Sequence, residues 1–157
     1  MEAADNPYKR SAAIGAYTAA KSNASSPVEI VVMLYEAMLR NIEGARVAYE
    51  ARDLATMCRL NQKTFKILMA LQTNLDFERG GTKAQALNQF YTAVFLHLSQ
   101  VLTATEPSLT FRHISGHVRD VCEFWRKVAD REQKALTARN PSSTDSATRP
   151  NHFARDA

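Results

Sequence analysis

The chain has 157 residues, 45% of them hydrophobic and 23% charged, with a formal net charge of +4, five glycines, five prolines and two cysteines. This length suits one domain with its own core, since about 70% of the unfolded surface is buried at this size, and it argues against two. The few glycines and prolines favour long helices, and the longest apolar run, Ile30 to Tyr35, falls far short of the roughly 20 residues that span a bilayer.

Residues 1–25 are rich in alanine, serine and lysine, with Tyr8, Ile14 and Tyr17 scattered among them and no clean period. They read as a mobile N-terminal arm with room for one short helix. Glu2 and Asp5 stand where a secretion signal needs basic residues, so the protein is expected to stay in the cytoplasm, without membrane insertion.

At Ser26-Pro27-Val28-Glu29 the signals change. Ser26 is a helix cap, Pro27 suits the first helical position, and Glu29 lies three residues past the cap. The first helix is expected over 27–51, with Val31, Tyr35, Met38, Ile42, Ala45 and Tyr49 as its apolar stripe. Asp53 caps a second helix over 54–75, striped by Met57, Leu60, Thr64, Ile67, Leu71 and Leu75. The connection is so short that these two helices must turn back on each other as an antiparallel hairpin.

Gly80-Gly81 then predicts a break, after which Thr82 and Gln85 form a capping-box pattern. A third helix over 83–104 carries Ala84, Leu87, Tyr91, Val94, Leu98 and Val101. A fourth over 109–136 carries Phe111, Ile114, Val118, Val121, Trp125 and Val128. All four stripes alternate steps of three and four, as bundle cores do. The fold class is therefore all-α: an antiparallel up-down four-helix bundle over 26–138. Asn140-Pro141-Ser142-Ser143 opens a stretch with the composition of a disordered tail over 139–157.

The sequence offers little for catalysis. No Glu-x-x-His occurs, which removes the di-iron chemistry that bundles support. His113 and His117 are four apart, a metal-chelating spacing, but no third ligand stands near in sequence, and His97 is isolated; exposed histidines are the better reading. Gly80-Gly81 lacks the spaced glycines and the lysine of a phosphate loop. Cys58 and Cys122 have no C-x-x-C partner and read as buried thiols. Neither a cofactor nor a metal is expected, and the chain is read as a non-enzyme.

Arg112, Arg119 and Arg126 repeat every seven residues along helix 4, and such a stripe can follow a phosphate backbone. The i,i+4 pairs Arg119–Glu123, Glu123–Lys127 and Arg126–Asp130 favour a salt-bridged solvent face instead. Leu68 and Met69 on helix 2 and Phe90, Phe95 and Leu102 on helix 3 fall beside the main stripes. They either widen the core face or line a groove for an amphipathic partner helix, with Tyr8, Ile14 and Tyr17 of the arm covering that groove when it is empty. Nucleic-acid binding and a structural homodimer remain as alternatives.

The chain also resembles the flagellar secretion chaperones of the FliS family over residues 6–129. The resemblance runs from Asn6-Pro7-Tyr8 through Ser26-Pro27 and Met33-Leu34-Tyr35 to Leu75-Asp76-Phe77-Glu78-Arg79-Gly80-Gly81, then Ala84, Leu87, Tyr91 and Trp125. It implies a four-helix bundle that holds the C-terminal segment of newly made flagellin in the cytoplasm, prevents premature polymerisation and delivers it to the export apparatus, without ATP. It further implies a role for Tyr8 and for the apolar groups beside the stripes. In the same comparison Asn23-Ala24-Ser25-Ser26 lacks the threonine usual two residues before the serine.

Overall fold

The computed structural model describes residues 26–140, which form α1 (Pro27–Glu50), α2 (Leu54–Thr73), α3 (Phe77–Ser99) and α4 (Pro107–Arg139), with a 3-10 turn at Val101–Thr103. Ser26, in extended backbone, accepts the Glu29 N–H at 3.2 Å and so satisfies one of the free donors at the start of α1. Arg52 takes a left-handed conformation (φ 61°), and the Asp53 N–H donates back to the Ala48 carbonyl at 2.8 Å, which reverses the chain within a few residues. The Asp53 side chain then accepts the Thr56 N–H at 3.0 Å and starts α2.

The break expected at Gly80-Gly81 is present as non-helical backbone at Gly81, but a short helical turn precedes it. α2 ends at Thr73, and Asp76 caps a new helical turn by accepting the Glu78 and Arg79 N–H groups at 3.1 and 3.0 Å. A carboxylate beside free helical N–H groups is a stronger start signal than the Thr82 hydroxyl six residues later. Gly81 (φ 49°, ψ −124°) interrupts α3 with a kink between this first turn and the rest of the helix, in a conformation that a side chain would strain. At its far end α3 stops at Ser99, and the 3-10 turn completes the segment expected to be helical up to 104.

The helices run alternately up and down. Tyr49, near the end of α1, packs on Phe111, near the start of α4, while Glu36, earlier in α1, meets Arg126, later in α4. Phe65 of α2 stacks on Phe95 of α3, and Gln72 bonds to Asn88. α1 lies close along both α2 and α4, and α3 stands off from its two neighbours. Gly44 helps α1 and α2 approach, because a Cβ there would sit 3.0 Å from the Leu60 side chain.

The core lies where the four stripes meet. Tyr35, Met38 and Ile42 of α1 are fully enclosed with Met57, Tyr91, Phe111, Val118 and Cys122. Val31, Tyr49, Leu60, Leu75, Leu87, Val121 and Trp125 are half-buried against it. Across the bundle diagonal, the Tyr35 hydroxyl donates to the Tyr91 hydroxyl at 2.9 Å. Burial raises the pKa of both phenols, and that of Tyr35 is raised further by the adjacent Tyr91.

Two outcomes follow from this pair. Tyr91→Phe leaves the enclosed Tyr35 hydroxyl without its acceptor and should lower unfolding free energy by about 1–3 kcal/mol, whereas Tyr35→Phe/Tyr91→Phe should cost less than the sum of the single changes, both measured by urea denaturation. A phenol whose folded pKa lies above its ordinary 10.0 contributes stability that is complete below pH 10 and is lost as pH rises toward the folded value. The wild type should therefore weaken more steeply above about pH 10 than the double phenylalanine variant.

Candidate partner-binding surface

Because α3 stands off, a seam opens between it and α2. Phe65 and Phe95 meet across the seam with ring centroids 4.7 Å apart. Toward the 3-10 turn the seam widens into a shallow cavity of about 200 Å³, whose walls include Cys58, Asn61, Phe65, Leu98 and Leu102. One helical turn from Phe65 in the other direction lies Met69. Met69, Phe95 and Leu102 are 43%, 45% and 51% exposed, so three large apolar groups lie in solvent beside this one seam. Gln72 bridges Asn88 and Thr92 at 3.2 Å each and marks its polar end.

The residues singled out from the sequence divide into four sets. Met69, Phe95 and Leu102 line this surface, and Phe90 is half-buried against the core, with its ring 5.9 Å from that of Tyr91. Leu68 belongs to the core at 1% exposure, because it points the other way from Met69 on the same helix. Tyr8, Ile14 and Tyr17 lie outside the described residues.

A second concavity, about 490 Å³, sits at the end of the bundle where α1 begins and α2 gives way to α3. Val31, Leu34, Leu71, Leu87, Tyr91 and Trp125 line it, with Pro27 and Gly80 at its edge. No single stripe reveals it, since every one of these groups also reads as core; it exists because the Asp76 turn holds the start of α3 away from α1. A third cavity, about 420 Å³, brings His97 together with His113 and His117. Among the described residues, however, no three histidine, cysteine or carboxylate side chains are grouped to hold a metal ion.

The arginines of α4 have partners the α4 sequence alone does not suggest. Arg126 meets Glu36 of α1 at 3.0 Å rather than Asp130, and Arg112 lies 3.9 Å from Glu50. Between them Glu43 is held below the usual carboxylate range, chiefly by Ser115, with help from Arg46 and Arg119. Glu36, Glu43 and Glu50 repeat every seven residues, as do Arg112, Arg119 and Arg126, so antiparallel packing aligns the two series. That heptad of acids was present in the sequence and is the signal that finds the ladder. Pairs this exposed stabilise little, yet they neutralise the stripe that resembled a phosphate-binding track.

α2 is different. Its exposed flank carries Arg59, Lys63 and Lys66, and the helix itself contains no carboxylate. Of the two thiols expected to be buried, Cys122 is enclosed and Cys58 is exposed on the seam, because position 58 falls one step outside the Met57 stripe.

The fold and these surfaces define a helical bundle whose distinguishing exterior features are apolar and spaced at helical pitch, which suits contact with another helix. The family model described as flagellar protein FliS matches residues 10–132. The flagellar secretion chaperone FliS of Campylobacter jejuni subsp. jejuni serotype O:6 (strain 81116 / NCTC 11828) is 28% identical over 123 residues, covering 78% of this chain and 95% of that protein. The chain belongs to the FliS family of flagellar proteins.

The two thiols provide a direct check on this geometry. Cys58 should react with a thiol reagent in the native protein. Cys122, enclosed and pushed up in pKa by burial, should react only on the timescale of unfolding, as read by mass spectrometry of the labelled peptides.

Proposed function

We propose that this chain is a cytoplasmic flagellar export chaperone that binds the amphipathic C-terminal segment of flagellin, keeps it from polymerising and delivers it to the export apparatus. The observation that carries the reading is the α2–α3 seam with exposed Met69, Phe95 and Leu102 beside it, in a chain of the FliS family. A flagellin end segment separated from its neighbours in the filament has apolar faces with nothing to pack on, and such faces aggregate. A bundle that presents apolar groups at helical spacing covers them without nucleotide or metal.

The shape of the surface matters as much as its polarity. Shallow grooves along helices bury a partner over a length rather than enclosing it, so contacts can be surrendered one turn at a time during hand-over. The concavity at the bundle end supplies a second docking place, and the chain enters it from the arm, since Pro27 lies at its edge. In this reading Tyr8, Ile14 and Tyr17 compete with flagellin for apolar surface and keep it covered between clients. The same competition offers a means of release.

Calorimetric titration with the C-terminal peptide of flagellin tests the proposal, with a scrambled peptide and duplex DNA as controls. Binding of the flagellin peptide alone, with a clearly negative heat-capacity change, is expected. Met69→Ser/Leu102→Ser should weaken that binding by tenfold or more while leaving unfolding free energy nearly unchanged, because both side chains are about half exposed. Labelling of Cys58 should slow when the peptide is present. Binding to DNA and not to the peptide would overturn the reading.

A further inference from the structure

Asn61 is out of place in the seam. It is 6% exposed, and its side-chain oxygen is enclosed without a hydrogen-bond partner. Buried carboxamides nearly always find partners, because an unpaired acceptor loses its hydration and gains nothing in return. The neighbouring polar group shows how easily α2 meets that requirement: Thr64, fully buried, donates to the Leu60 carbonyl at 3.2 Å. Asn61 makes no such contact. It is also one of the residues lining the cavity between α2 and α3, with Phe65 and Leu102 beside it.

We infer that Asn61 is a specificity-determining residue of the client groove, which pairs with a single amide side chain on the otherwise apolar face of the docked helix. This rests on the function proposed above and adds the register at which the client binds. A carboxamide is the fitting complement because it supplies a donor to the orphan oxygen and an acceptor to the Asn61 amide nitrogen at once. Apolar contacts alone are indifferent to sliding by a helical turn, since Met69, Phe95 and Leu102 accept any large apolar group. A buried, unpaired polar group beside these apolar contacts removes that freedom: in the correct register its partner is satisfied, and in every other register two carboxamides are buried unpaired. The free chaperone carries the cost as an unsatisfied group, and the client relieves it.

This predicts opposite effects on stability and on binding, which a purely structural asparagine would not produce. Asn61→Leu should raise the melting temperature of the free protein by roughly 2 to 5 °C. It should also weaken the flagellin C-terminal peptide by about tenfold. Asn61→Met serves as a second variant with a more adaptable side chain, should leucine overfill the seam. In a scan in which each asparagine and glutamine of the peptide is changed to leucine, one position should matter strongly to the wild type and not to the Asn61 variants, the signature of a coupled pair in a double-mutant cycle. A lowered melting temperature in both variants would show that the amide is already satisfied by ordered water, and would overturn the inference. Unchanged peptide affinity in both variants, with the wild type binding normally, would overturn it while leaving the proposed chaperone function intact. If the wild type fails to bind the peptide at all, both readings fall together.

Discussion

α1 is covered along its length by α2 on one side and α4 on the other, and the rest of the molecule is arranged around that fact. Small or slender groups at the contacts, such as Gly44 and Ala45, let the three helices approach closely. α3 completes the core from farther away, and so it is held by long side chains: Tyr91 reaches Tyr35 across the diagonal, and Phe95 reaches Phe65. Tight packing on one side and aromatic struts on the other produce the seam and the end concavity as a necessary by-product. A bundle of four equally close helices would have neither.

The parts of this arrangement legible in the sequence are those set by short-range rules. The all-helical class follows from the three-four alternation of apolar residues, and the start of α1 from Ser26 and Pro27. The break at Gly80-Gly81 is legible too, since Gly81 is non-helical there; what the glycines hide is the short helical turn that the Asp76 carboxylate starts ahead of them. The fate of Leu68 and Met69 shows the same limit from another side. They are neighbours in sequence, and both lie off the main stripe, yet one is enclosed and the other is in solvent. Only the position of α3 decides between them. Cys58 is exposed because it falls one step off the Met57 stripe, whereas the partnerless Asn61 is visible only once the helices are placed.

Charge is distributed as unevenly as packing. The Glu36, Glu43 and Glu50 series faces the Arg112, Arg119 and Arg126 series, so the α1–α4 side is close to neutral despite its many ionised groups. A sequence reading that counts one helix at a time sees a basic track there. Antiparallel pairing turns it into a self-complementary seam that also matches α4 to α1 in register. The net positive charge of the chain is therefore a poor guide to what this side of the molecule attracts.

The acid-free flank of α2 has a kinetic meaning. Arg59, Lys63 and Lys66 lie on the helix that forms one wall of the seam, and their field extends about 8 Å into physiological buffer, beyond the reach of any apolar contact. An unfolded segment bearing carboxylates would feel this flank before it touched Met69 or Phe95, and would arrive already beside the groove. Under the proposed function, charge would set how quickly a client is caught and the apolar seam how long it stays.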